Sequence, residues 1–412
     1  MLKGFWIMPL RAVRSLFVGL VLSISVLFAA LGAAQQAGHG DVHPPIRHVF
    51  VLTLENKNYS SIFSQDSPAP YLSRTLVAQG AMLRQYYGTG HGSLDNYIAM
   101  ISGQSNNPDT SDDCGTFEDF KQTGVADDGQ VVGRGCVYPS SVKTVVDQLN
   151  TAGFTWKGYM GDMGNDPARE SATCGHPVLG MPDLTNEQEG ESARVPEGDM
   201  YATRHNPFAY FHSIIDSPLC QKDVVNLNRL PNDLKAIATT ANFNFITPNV
   251  CDDGHDAPCV DGRPGGLASI DAFLRRWVLL ILASPAYKKD GLLIINFDEG
   301  GSGAIERSKD GAVITVFGES CCNQRAGPNL GTYPRVKISG VGDQKRTRRT
   351  LKFGGERTGA VLLSPFIKPG TISDVPYNHY SLLKSIEDIF GLREHLGYAG
   401  QTGLVAFGSD IF

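Results

Sequence analysis

From residue 48 onward, short runs of β-branched and aromatic residues alternate with longer stretches of helical periodicity, and few folds accommodate that order. The runs His48–Leu54, Ala81–Tyr87, Thr155–Tyr159, Asn242–Thr247, Gly291–Phe297, Ala312–Phe317 and Gly359–Ser364 read as strands. Ser140–Ala152, Pro231–Thr240, Leu267–Ala283 and Tyr380–Phe390 carry helical patterns between them. Strands separated by helices predict an α/β protein, a three-layer α/β/α sandwich around a largely parallel central sheet. With no internal repeat and no linker, residues 35–412 are expected to form one domain. Asp109–Arg134, Gly161–Arg204 and Gly300–Gly355 are rich in Gly, Pro, Asp and Ser. They read as long loops, held as lids over a site.

Residues 1–34 have the pattern of a cleavable export signal. Lys3, Arg11 and Arg14 precede the apolar run Leu16 to Leu31, and small residues follow up to Ala34. The alternative is an uncleaved anchor, since the run is close to the shortest that spans a bilayer. Cleavage near Ala34 implies a secreted or periplasmic protein with no stable membrane insertion afterwards. An exported chain with eight cysteines, all after the signal, is expected to carry disulfides. The short spacings of Cys251/Cys259 and Cys114/Cys136 suggest local bridges; the remaining pairing is open. A formal net charge of −6 and the lack of a basic, aromatic-rich stripe argue against nucleic acid as a partner. The one basic run, Lys345 to Lys352, reads as a solvated loop.

Chemistry-bearing residues fall at strand ends. His48–Leu54 runs directly into Glu55-Asn56, and Gly291–Phe297 into Asp298-Glu299. Open α/β sheets bind ligands beyond the carboxyl ends of their strands. Either pair alone also reads as a cap or turn, but two such pairs are placed to converge on one divalent cation. Their hard oxygens suit Mg, Ca or Mn, with Zn or Fe if imidazole joins. Ser93 stands in His91-Gly-Ser-Leu-Asp-Asn-Tyr97 at the start of an apolar helix. It is either a plain N-cap or a metal-activated nucleophile. Among the histidines, His255 sits in an acidic, Gly-containing loop after strand Asn242–Thr247, where imidazole can bind metal, hold phosphate or protonate a leaving group.

Taken together, His48–Asn56, His91–Tyr97, Arg204–Phe208, Phe245–Asn249 with Asp253–Asp256, Phe297–Gly300, Leu363–Gly370 and Asn378–Glu387 resemble a bacterial phosphoesterase family. That family contains acid phosphatases and phospholipases C and lies within the alkaline phosphatase superfamily. The resemblance implies an alkaline-phosphatase-like fold, with Glu55, Asn56, Asp298 and Glu299 as metal ligands and Ser93 as nucleophile. By the same resemblance His205 and His255 contact the phosphate, and His379 corresponds to a ligand of two-metal relatives. His91 belongs to the nucleophile segment. Gly92 and Asp95 replace two prolines often found there. Arg357 stands where relatives often carry a histidine, which bears on a second metal site. The implied activity is hydrolysis of small phosphate monoesters or phospholipid headgroups through a phosphoserine intermediate. A phospholipase C-type diesterase and a secreted non-catalytic binding protein are the alternatives.

Overall fold

The computed structural model describes residues 1, 2, 4, 43–185, 195–301, 303–309, 311–340 and 345–412. Apart from residues 1, 2 and 4, the expected export signal lies outside them. The strands that position the site are β1 (His48–Leu54), β2 (Ala81–Leu83), β3 (Trp156–Met160), β4 (Val224–Asn226), β5 (Phe243–Thr247) and β6 (Gly291–Phe297). Next come β7 (Ile305–Ser308), β8 (Gly311–Val316), β9 (Arg335–Ser339) and β10 (Arg346–Thr350), then β11 (Ala360–Leu363) and β12 (Thr371–Ser373). The main helices are α1 (Ser93–Ser102), α2 (Val145–Ala152), α3 (Gly266–Ala283) and α4 (His379–Ile389).

Among the described residues, eight strands form the central sheet in the order β12-β2-β11-β6-β1-β5-β3-β4. β11 pairs antiparallel with both β6 and β2, and every other pairing in this sheet is parallel. All seven residues of β1 and of β6 are buried. That explains their nearly continuous apolar sequences, since a parallel sheet is covered on both faces. Alternate side chains go to opposite layers. Val49 and Val51 pack with Leu94 and Ile98 of α1, Val146 of α2 and Leu383 of α4. Phe50, Leu52 and Leu54 pack with Ile270, Leu274 and Val278 of α3. Each such fully buried side chain contributes roughly 1.5–3 kcal/mol. The expected three layers are therefore present.

Several local expectations are corrected. Ser140–Ala152 becomes helical only at Val145, where Thr144 and Asp147 form a reciprocal capping box. Pro231–Thr240 is not one helix. A short turn, Leu230–Asp233, ends because the hydroxyls of Thr239 and Thr240 bond the Asp233 carbonyl at 2.8 and 3.0 Å. Ala81–Tyr87 breaks after Leu83, and Tyr86–Tyr87 pairs instead with Tyr377–Asn378. Gly300–Gly355 is not mainly a loop. It holds a separate four-stranded sheet, β7-β8-β10-β9, so Ala312–Phe317 does not join the central sheet. β10, Arg-Thr-Arg-Arg-Thr, lacks the apolar face that marks a strand in sequence, and in β9, Arg-Val-Lys-Ile-Ser, Val336 and Ile338 alternate over only five residues and stay exposed.

Four disulfides join described residues. Cys114–Cys136 and Cys251–Cys259 are the two expected local bridges, and Cys174–Cys220 and Cys321–Cys322 complete the set. No described helix is long and apolar enough to cross a membrane.

Candidate active site

The carboxyl ends of β1, β5 and β6 lie side by side, because Leu54 is in register with Phe297 and Leu52 with Ile246. Residues that follow these strands must meet at one sheet edge. Glu55 is fully buried there, and its two oxygens face different groups. Oε2 accepts a 3.0 Å hydrogen bond from Ser93 Oγ. Oε1 accepts from the Tyr97 hydroxyl at 2.7 Å and lies 3.4 Å from His205 Nε2. Ser93 is the first residue of α1 after the extended N-cap Gly92, so the helix start presents its hydroxyl to Glu55. At Gly90, just before that turn, a Cβ would lie 2.3 Å from Asp95 Oδ1, so any larger residue there requires that carboxylate to shift.

Asn56 adopts a left-handed φ of 43°, which folds its amide back over the cluster. Its backbone amide donates to Asp298 Oδ1 at 3.1 Å. One side-chain amide atom lies 3.0 Å from Glu55 Oε2 and 3.1 and 3.2 Å from the Asp298 carboxylate oxygens. If that atom is nitrogen, it donates to both carboxylates. If it is oxygen, it faces only carboxylate oxygens, an arrangement that a bound cation would compensate. The donor set fits a hard divalent cation on those grounds.

The other side of Glu55 carries the same signature. His205 Nδ1 lies 3.2 Å from Asp253 Oδ2, yet neither ring nitrogen nor that oxygen makes a well-directed hydrogen bond. Glu55, His205 and Asp253 each offer a ligand atom within 4.8 Å of the others, all buried. Burial raises the pKa of Asp253 and Asp298, and the neighbouring Glu55 adds to it. Burial also holds His205 well below its ordinary value, helped by Arg204 and His255, so its imidazole is neutral and able to ligate.

Glu299 is held differently. Its Oε2 accepts from Asn96 Nδ2 at 3.2 Å, and its Oε1 lies 3.3 Å from His91 Nδ1. His91 Nε2 is 3.2 Å from Glu356 Oε1. Burial alone would lower the pKa of His91; Glu299 and Glu356 outweigh it and push it up to about 9. Glu356 in turn accepts from the backbone amides of Phe317, Gly318 and Glu319.

The structure thus brings Glu55, Asn56, Ser93, His205 and Asp298 together, with Glu299 and His91 adjoining. His255 sits beside His205, ring centroids 6.2 Å apart, with Nδ1 bonded to Asp256 at 2.8 Å. His379 has both ring nitrogens in use, Nδ1 with Tyr86 OH at 2.9 Å and Nε2 with the Asp298 carbonyl. Its geometry braces the backbone of Asp298. Arg357 stacks on Tyr59, 4.5 Å from the ring centroid, in a cleft shared with Asn58, Phe317 and Glu319. Asp95 bonds Asn106 and Ser111, each at 3.2 Å, rather than the Glu55 cluster.

Sequence reasoning missed Asp253, Tyr97, Arg204 and Glu356 as site residues. Asp253 had a signal, since it follows β5 at the same sheet edge. Arg204 is 4% exposed with Nη1 unpartnered. Arg204 has only its place in the segment Arg204–Phe208 to mark it and Glu356 has no local signal, and the role of each arises where distant loops meet.

A phosphatidylinositol-3-phosphatase of Mycobacterium tuberculosis is 25% identical over 94% of this chain and 92% of its own length. An acid phosphatase of Penicillium chrysogenum, described as phosphate-repressible, is 24% identical over 55% of this chain. A probable acid phosphatase of Kluyveromyces lactis is 23% identical over 89%. The matches span 42% and 64% of those two fungal proteins, so this chain matches only part of each. A crystallised alkaline phosphatase superfamily protein from Vibrio parahaemolyticus aligns at a TM-score of 0.41 and 13% identity, over 86% of this chain and 68% of its own. The Phosphoesterase family model matches residues 64–393, most of the sequence, and the chain belongs to that family.

Proposed function

We propose that this chain is an exported, divalent-metal-dependent phosphomonoesterase in which Ser93 attacks phosphorus and a phosphoserine is then hydrolysed. The observation that carries this reading is the 3.0 Å bond from Ser93 Oγ to Glu55 Oε2 at the start of a buried helix, within a cluster of buried acidic side chains. Hydroxyl, carboxylates and amide oxygen share one corner of the sheet edge. Glu55, Asn56, Asp298 and Ser93 would hold the cation, with Glu299 beside them and His205 and Asp253 on the far side of Glu55. Bound there, it would lower the pKa of the serine hydroxyl and offset negative charge on the reacting phosphoryl group.

The protein's own groups do the rest. Glu55 Oε2 takes the hydroxyl hydrogen and so orients the serine lone pairs. Tyr97 fixes the second oxygen of Glu55 and stacks on His205 at 5.3 Å, holding both against rotation. His255, tied through Nδ1 to Asp256, presents Nε2 to protonate the leaving alkoxide. Arg204 supplies a guanidinium nitrogen to a phosphoryl oxygen. The Mycobacterium relative's name favours a phosphorylated inositol lipid as one candidate substrate class.

The test is hydrolysis of p-nitrophenyl phosphate by the mature protein, before and after EDTA, with Mg, Ca, Mn, Zn and Fe added back. Turnover that EDTA removes and a metal restores supports the reading. Full activity in EDTA, or activity on p-nitrophenylphosphorylcholine alone, sinks it.

A further inference from the structure

Residues 305–352 contain ten basic and four acidic side chains, in a chain whose formal net charge is −6. The positive charge is therefore concentrated in the β7–β10 sheet and its connections, on an otherwise acidic protein. Register decides where it points. Lys337 lies opposite Arg348, Ser339 opposite Arg346 and Arg335 opposite Thr350. Directly opposed and alternate residues share a face. Arg335, Lys337, Arg346 and Arg348 thus project from one side of the sheet, and Val336, Ile338 and Arg349 from the other.

The basic side abuts the loop that carries Ser93. Arg348 Nη2 donates to the His91 carbonyl at 2.9 Å, two residues before the serine. Lys337 Nζ lies 2.7 Å from Asp112 Oδ1. The next residue, Asp113, accepts from the Leu94 amide at 3.0 Å. The Lys337 and Asp112 side chains are 59% and 54% exposed, so their pairing is weak and exchangeable.

We propose that this face is a second anion subsite, which takes a phosphoryl group of the substrate other than the one that reaches Ser93. Preferred substrates then carry two phosphoryl groups. The subsite rests on the phosphatase reading for the first group and on charge placement for the second. A phosphate ester approaching an acidic protein is repelled, and a positive wall beside the Ser93 loop offsets that repulsion and retains the far end of the ligand. The second group belongs either to a soluble bisphosphate or to a lipid headgroup, whose phosphodiester supplies the same chemistry.

Two substrate arms separate these sources. One compares kcat/KM for fructose 1,6-bisphosphate and fructose 6-phosphate. The other uses phosphatidylcholine vesicles carrying phosphatidylinositol 3-phosphate. In the arm that matches the true source, the double variant Arg335→Ser, Lys337→Ser should lose at least about tenfold in kcat/KM, mainly through KM. In the soluble arm, the bisphosphate preference falls with it. Arg335→Lys, Lys337→Arg should restore the wild-type value. Unchanged kcat/KM in both arms overturns the subsite. Calorimetric titration of the Ser93→Ala protein with fructose 1,6-bisphosphate and with the same vesicles reads binding without turnover. Binding that depends on Arg335 and Lys337 in a protein hydrolysing no phosphate ester breaks the phosphatase reading and leaves the subsite standing. Turnover with no effect of the double variant on either substrate or on binding does the reverse.

Discussion

The edge of the central sheet and the β7–β10 sheet put charge to opposite uses. At the edge, Glu55 and Asp298 are fully buried, with Glu299 nearly so, and every hydrogen bond they accept fixes an orientation. In the smaller sheet the charges are mostly cationic and many are exposed. Buried like charges cost stability and are kept where a ligand compensates them. Exposed charges cost little and act over distance. The first region is built to hold atoms still, the second to gather and sort what arrives.

The largest effect that tests this contrast is at Ser93. Ser93→Ala should lower kcat by at least ~10²-fold, the scale for loss of one key electrostatic or reacting group. The far-UV spectrum should not change, since the residue opens a helix that Leu94 and Ile98 anchor. Near-normal steady-state turnover would remove the serine from the reaction.

Compensation by a ligand comes next. Loading the metal-free protein with cation at one hundred times its Kd should add about 2.7 kcal/mol, seen as a rise in Tm of several degrees. Glu55→Gln should abolish that rise and raise the Tm of the metal-free protein, because one buried acid leaves the cluster. An unchanged metal response in Glu55→Gln would refute the shared site.

Buried acid costs stability elsewhere too, and pH exposes it. Glu387 of α4 has a pKa raised to about 8 by burial, against an ordinary 4.5. Its Oε2 has no hydrogen-bond partner in this buried setting, which leaves the charged form uncompensated there. The folded state therefore binds the extra proton between these values. This group's stabilisation is complete below about pH 4.5 and is lost as pH rises through 8. Glu387→Gln should flatten that fall and raise Tm at pH 9 by at least about 2 °C. Equal pH slopes in both proteins would show Glu387 ionised throughout.

The smallest effect belongs to the outward side of the small sheet. Arg349→Ser should change stability by less than about 0.5 kcal/mol in urea melts. The bisphosphate preference should stay as in the wild type. A loss there equal to that of the Arg335, Lys337 variant would mean that bulk charge, not the inward face, sets selectivity.

What sequence conveys follows the same division. β1 and β6 were legible because burial on both faces writes an apolar run, and their ends carry Glu55, Asn56, Asp298 and Glu299 to one edge. The place of Ser93 before an apolar helix leaves both a cap and a nucleophile open, and its reacting role rests on the family resemblance. Asp253 is legible from its place in the acidic loop after β5, two residues before His255. Arg204 and Glu356 were hidden because their surroundings come from the Asp113, Asp183 and Phe317 regions, remote in the chain. β9 and β10 were hidden because their backbone pairing, not a core-facing pattern, makes them strands. Proximity in sequence revealed two disulfides, whereas Cys174–Cys220 depends on tertiary folding.

β6 and β11 are antiparallel neighbours in the central sheet, so the chain from Asp298 to Gly359 is in topological terms the loop of a hairpin. Closing a longer loop costs little more than closing a shorter one, because the entropy grows only with the logarithm of length. The whole β7–β10 sheet is thus carried on a turn. Enlarging or recharging its outer part costs the fold little, whereas shedding it would strip His91 and Glu356 of the Arg348 guanidinium and the Phe317–Glu319 amides that hold them.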